Sequence, residues 1–142
     1  MATAVPSIAD RYFAAWNGRE SEAVSAILAD EFVWEDPSLP APMSHPEEAF
    51  DFLERSWRSF PDLRFDLLGA PMVVGARVAQ EWRMTGTHQA EGVPAGVPGT
   101  GRAIDVSGVD IFSLGDDRRI VRIQAFYDAM TLAAQLGLLP AR

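Results

Sequence analysis

The chain of 142 residues contains no cysteine and no lysine, and its only histidines are His45 and His88. Without cysteine it can form no disulfide, no thiolate nucleophile and no sulfur-ligated metal site. Without lysine it has no side-chain amine for a Schiff base, since all twelve basic residues are arginine. Two imidazoles are too few for a histidine-rich metal centre, so a mechanism with no metal and no cofactor is expected; carboxylate-bound magnesium is the metal chemistry that composition leaves open. The formal charge is −8 and the basic residues form no cluster. Nucleic acid and anionic membrane, which need a positive surface, are therefore not expected as partners. Neither a basic segment followed by an apolar one at the N-terminus nor an apolar run of about eighteen residues is present, which points to a cytoplasmic protein. What the chain does have is an ordinary globular composition, 48% hydrophobic and 23% charged, suited to one domain over 1–142.

Apolar periodicity divides the chain into helices and then strands. Ile8, Tyr12, Ala15 and Trp16 recur at helical spacing, with Ser7 as a cap and an end at Gly18. A second helix over 21–29 carries Val24, Ile27 and Leu28. After Pro37, Pro40 and Pro42, the run His45-Pro46-Glu47-Glu48 opens a third helix, with Phe50, Leu53 and Trp57 as its stripe and Phe60-Pro61-Asp62 as its stop. From Leu63 onward the period becomes two, and 63–67, 78–88, 102–114 and 120–127 read as strands. The Gly/Pro-rich segment 89–101 reads as a mobile loop and a candidate lid. A last helix bears Met130, Leu132, Ala133, Leu136 and Leu138. This order predicts an α+β domain whose curved sheet wraps helices around a conical cavity.

Two acids fall on apolar strand faces. Asp36 follows Phe32 and Trp34 at alternate positions, so it is a candidate proton carrier; as an Asp before Pro it is equally a turn former. Asp110 shares a side with Ile104, Val106, Gly108 and Phe112, where burial would keep it protonated and able to donate to an oxyanion; the alternative is an acid satisfied by amides or arginine. Tyr12 lies in the buried stripe of helix one, either as an oxyanion donor or as a core residue. His88 ends the strand face Val78, Gln80, Trp82, Met84, Gly86, and is a candidate for the cavity mouth or a surface position. Asp128 precedes the last helix, where capping is the preferred reading and catalysis the alternative. Trp16, Trp34, Trp57, Trp82, Met84 and Phe112 are candidate walls of an apolar pocket, and Gln124 is a candidate neutral donor; against it, Ile120, Arg122, Gln124 and Phe126 form the more polar side of their strand, with Val121, Ile123, Ala125 and Tyr127 as the alternative packed side.

The segments Arg11-Tyr12-Phe13-Ala14-Ala15-Trp16-Asn17, Glu35-Asp36-Pro37, Phe60-Pro61-Asp62-Leu63, Thr85-Gly86-Thr87-His88, Gly108-Val109-Asp110-Ile111-Phe112 and Gln135-Leu136-Gly137 together give a resemblance over nearly the whole chain. It resembles the nuclear-transport-factor-2-like superfamily, and within it the SnoaL-like polyketide cyclases and ketosteroid isomerases. The resemblance implies a cone in which N-terminal helices pack in a curved, mostly antiparallel mixed sheet. It also implies that Tyr12 and a protonated Asp110 form an oxyanion hole while Asp36 moves the proton. For a cyclase it implies one acid/base Asp, with Asp110 and Asp128 both in the relevant region. The expected partners are an apolar polycyclic or polyketide-like small molecule and a second copy of the chain. That dimer would form through the outer sheet face, where Val109 and Ile111 lie opposite Asp110. Intramolecular aldol closure is the first expectation, double-bond isomerisation the second, and a non-catalytic binding module the third.

Overall fold

The protein is described by a computed structural model covering residues 7–139; the ends of the expected domain, 1–6 and 140–142, lie outside the described residues. Ser7 caps helix α1 (Ile8–Gly18) by accepting from the Asp10 amide, while Asp10 accepts from the Ser7 amide. The helix ends as Arg19 turns left-handed at φ 58°, held by guanidinium bonds to the carbonyls of Pro61 and Leu63. Helix α2 (Ser21–Ile27) runs directly into strand β1 (Leu28–Glu35). Helix α3 (Pro46–Ser59) starts with Pro46, whose missing N–H costs nothing in the first turn. Its buried face is Ala49, Phe52, Leu53 and Ser56, with the expected Phe50 and Trp57 only half-buried on its flanks. The stripe is rotated because Phe52 and Ser56 close an interior cavity that the sequence pattern does not reveal.

Five further strands follow: β2 (Arg64–Leu67), β3 (Met72–Val74), β4 (Arg77–Thr87), β5 (Ala103–Leu114) and β6 (Ile120–Tyr127). They join β1 in one sheet of order β1-β6-β5-β4-β2, with β3 also paired to β4. The β1–β6 pair is parallel and the rest are antiparallel, which makes the sheet mixed and mostly antiparallel as expected. Period-two burial holds on the long strands: Val78, Gln80 and Trp82 of β4, and Ile104, Val106, Asp110 and Phe112 of β5, all turn inward. Strand β3 is the unexpected element, and its three residues are exposed.

The final helix, α4 (Ala129–Gln135), buries Leu132 and Leu136 but leaves Met130 and Leu138 exposed, so the expected stripe is narrower in fact. Gln135 fixes the helix to β5 by bonding both the amide and the carbonyl of Asp105. The segment 89–101 is a loop as expected, and it is tied to α3. Gln89 and Val93 donate backbone amides to the Ser59 carbonyl and hydroxyl, and Arg55 and Arg58 donate to the carbonyls of Gly92 and Glu91. Val93 is thereby fixed as part of the cavity wall.

Candidate active site

The concave side of the sheet, α1, α3 and the 89–101 loop enclose a largely apolar cavity, with about 560 Å³ of empty space counted out to its open mouth. Its polar wall is made by Tyr12, Asp36, Ser38, Asp110 and Tyr127, set among Trp16, Phe52, Phe65, Trp82, Met84 and other apolar side chains. The three residues singled out for acid/base work, Tyr12, Asp36 and Asp110, thus share one chamber although they come from α1, the end of β1 and β5.

Asp110 is 4% exposed and accepts one hydrogen bond, from the Trp82 indole N–H to Oδ1 at 3.0 Å. Burial pushes its carboxyl up to about 8, a rise that the Trp82 bond opposes and the nearby Asp36 charge reinforces. Asp110 is therefore predominantly protonated at neutral pH, and since Oδ1 already accepts from Trp82, its proton belongs on Oδ2. The bond to Trp82 depends on a glycine. Trp82, Gly108 and Tyr127 are register partners across β4, β5 and β6, and a Cβ on Gly108 would stand 2.7 Å from the Trp82 ring. The missing side chain lets the Trp82 and Tyr127 rings meet edge to face above β5, with centroids 5.9 Å apart.

Asp36 lies just past β1 and is half-buried. All three hydrogen bonds of its side chain fall on Oδ1: the Ser38 amide at 2.8 Å, the Ser38 hydroxyl at 2.7 Å and the Tyr127 phenol at 2.8 Å. Among the described residues Oδ2 has no donor. Oδ1 thus builds the turn, and the carboxylate borders the cavity. Tyr127 is a phenol at any ordinary pH, because burial and the Asp36 charge raise its ionisation far above the usual tyrosine range.

Tyr12 is buried by Phe13, Trp34 and Phe112, whose rings stand edge-on to it. Burial and the Asp110 charge hold its phenol well above the usual range, offset in part by the Trp16 indole. The Trp16 N–H itself has no hydrogen-bond partner meeting ordinary geometry among the described residues. Trp57 donates its own indole N–H to the Trp16 carbonyl at 3.1 Å, which anchors the end of α1.

The remaining candidates divide. Trp16, Trp82 and Met84 line the cavity, whereas Trp34, Trp57 and Phe112 stand behind that wall. Gln124 is corrected to the outer face, since it lies between the exposed Arg122 and Phe126 while Ile123 and Ala125 take the packed side. His88 is not at the cavity mouth. Its backbone pairs with Gly101 and Arg102 where the 89–101 loop closes, its ring stacks beside Phe60, and burial lowers its basicity. Its Nδ1 accepts from the Thr100 amide at 3.1 Å, which fixes a neutral tautomer with the proton on Nε2. Asp128 caps α4 through the amides of Met130 and Thr131 and lies away from the cavity. The residues missed in sequence are Tyr127 and Ser38. The alternation of β6 did place Tyr127 on the packed side, but nothing local paired it with a residue on β1.

A family model for the SnoaL-like domain matches residues 9–123. Among solved structures, a protein provisionally assigned as a SnoaL-like polyketide cyclase from Jannaschia sp. CCS1 superposes with a TM-score of 0.78 at 22% identity, covering 92% of this chain and 89% of that one. AclR from Streptomyces galilaeus, provisionally assigned as a hydroxylase, gives 0.74 at 25% identity, with 92% of each chain covered. A Catenulispora acidiphila protein of ketosteroid isomerase-like fold, solved with trimethylamine, gives 0.78 at 19% identity over 96% of each chain. Comparison with curated proteins gives no match.

Proposed function

The chain belongs to the SnoaL-like domain family, and on that footing we propose that it is a cofactor-independent acid/base enzyme acting on an apolar carbonyl compound. The observation that carries this reading is the unequal pair of acids in one chamber: Asp110 buried and raised to about 8, and Asp36 held by three donors on a single oxygen. Burial keeps Asp110 protonated as a donor, while Asp36 Oδ2 is the carboxylate oxygen left without a donor among the described residues and so open to take a proton.

In the proposed reaction Asp36 Oδ2 takes the proton from a carbon next to the substrate carbonyl. The electron pair moves onto the carbonyl oxygen, which the hydroxyls of Tyr12 and Asp110 receive as donors. For ring closure, the enolate carbon then attacks a second carbonyl carbon of the same molecule, and the resulting alkoxide takes up the proton held by Asp36. Atoms and charge balance without an outside reagent. Closure of a polyketide-like substrate is the first choice; the same first half followed by reprotonation at another carbon is isomerisation. Opening of an epoxide by water is less well served, because the position two residues before Asp110 is Gly108 and no arginine among the described residues lines the cavity.

The reading includes a homodimer through the outer sheet face. Phe126 is 48% exposed there, beside its half-buried register partner Val109 and, on the same strand as Val109, Ile111. Sedimentation of the protein and of Phe126→Glu checks this, with a dimer expected for the first and a monomer for the second.

The direct test of the chemistry uses 5-nitrobenzisoxazole, a two-ring carbon acid whose base-promoted ring opening releases a coloured phenolate. The protein should accelerate the opening, and Asp36→Asn should lower the rate about a hundredfold or more. An Asn variant as fast as the unaltered protein would leave the cavity as a binding site without this base.

A further inference from the structure

Trp16 and Tyr12 are one helical turn apart on the buried face of α1, with ring centroids 6.4 Å apart. Trp16 is 5% exposed and borders the cavity, yet its Nε1–H has no hydrogen-bond partner meeting ordinary geometry among the described residues. A buried donor left unmade is costly, and native proteins seldom keep one unless something fills it. Of the other indoles, Trp82 donates to Asp110 and Trp57 to the Trp16 carbonyl. Trp16 is also held by four aromatic neighbours. Its ring is edge-on to Trp34, Phe52, Trp57 and Phe65. The N–H has almost no surface open to water, and its polar neighbour is the Tyr12 oxygen, whose charged form it favours from beyond ordinary hydrogen-bond geometry.

We propose that Trp16 Nε1–H is a ligand-binding donor, the third member of an oxygen-binding pole that it forms with Tyr12 and Asp110. The inference rests on the reading of the cavity as a carbonyl site and adds a requirement to it: the ligand oxygen must have lone pairs to spare for three donors. An enolate or phenolate oxygen meets that requirement. A neutral ketone oxygen, with two lone pairs, is under-supplied, so the third donor favours the charged species over the ground state. Aromatic packing holds the indole in place beside Tyr12, so a ligand oxygen entering between them has only a small displacement to make.

The test is a two-ligand comparison on the full chain, using 2-naphthol and naphthalene, which share a ring system and differ by one oxygen. With 15N-labelled tryptophan, the Trp16 indole resonance is identified by its loss in Trp16→Phe, or by elimination through Trp34→Phe, Trp57→Phe and Trp82→Phe if that variant does not fold. 2-Naphthol should move the Trp16 N–H proton downfield, as a new hydrogen bond requires, and naphthalene should not. Folded Trp16→Phe should bind 2-naphthol about tenfold more weakly, with the affinity for naphthalene changed far less. A Trp16 resonance that responds alike to the two ligands overturns the inference while leaving the acid/base reading standing. Failure of 2-naphthol to bind at millimolar concentration overturns both.

Discussion

The Tyr127 phenol at the end of β6 donates to Asp36 Oδ1 at 2.8 Å, joining residues 91 positions apart in sequence. β1 and β6 are parallel neighbours, so their C-terminal ends emerge side by side, and the two side chains meet over the cavity. The same Tyr127 ring packs on Trp82, which bonds Asp110. One aromatic pair thus sets the spacing of the two acids.

Removing only the phenol oxygen tests that relationship. Tyr127→Phe keeps the ring against Trp82 and leaves Asp36 Oδ1 with the two donors from Ser38. We expect the rate of 5-nitrobenzisoxazole opening to fall about tenfold, the effect of one hydrogen bond to a charged group. Circular dichroism should stay unchanged. A rate equal to that of the unaltered protein would mean that Ser38 alone fixes the carboxylate.

Gly108 is where the site is most sensitive to a single methyl group. In Gly108→Ala the new Cβ meets the Phe126 carbonyl and the Trp82 ring, so either β5 or the indole must move. The expected destabilisation is about 1–3 kcal/mol by urea unfolding. The Trp82 N–H resonance should also shift as its bond to Asp110 lengthens. An unchanged midpoint and resonance would show that the strand absorbs the methyl elsewhere.

Asp110 should make the protein less stable as pH rises. Its folded-state carboxyl is raised to about 8, while the unfolded chain ionises near 4. Between these values the folded state holds one more proton than the unfolded state, so stability falls from about pH 4 to about pH 8 and levels above. Denaturant midpoints at pH 5 and pH 8 should therefore differ more in the unaltered protein than in Asp110→Asn. Equal differences would place the titration on another group.

Asp128→Ala separates capping from catalysis. Two amides of α4 lose their acceptor, at a cost of about 1 kcal/mol, and the ring-opening rate at a temperature well below unfolding should not change. A large loss of rate with intact fold would restore a chemical role to this acid.

Much of the architecture is legible locally because the signals are local. Ser7 and Asp10 are three residues apart, Pro46 marks its own helix start, and the alternation around Asp110 needs only the strand that bears it. The misplacements share a different origin. Gln124, Trp34 and Phe112 are the right residue types, but which wall a side chain joins depends on the layer packed against its strand. His88 continues the inward face of β4 and is fully buried, yet the returning 101–102 segment closes it behind Phe60. Glycines and prolines suggested a mobile 89–101 loop, while the arginines and serine that hold it lie on α3.

The sequence by itself determined the helix caps, the inward face of each long strand, the apolar setting of Asp110 and the exclusion of thiolate and Schiff-base chemistry. Those properties follow from residue identity and from the 3.6 and 2.0 periods of helix and strand. Only the tertiary structure decided that Asp36, Asp110 and Tyr12 share a chamber, that Tyr127 holds Asp36 by one oxygen, and that the Trp16 N–H meets no partner in ordinary geometry among the described residues. Those are relations between elements, fixed by strand order, by the parallel β1–β6 pairing and by a glycine that lets two rings meet above β5.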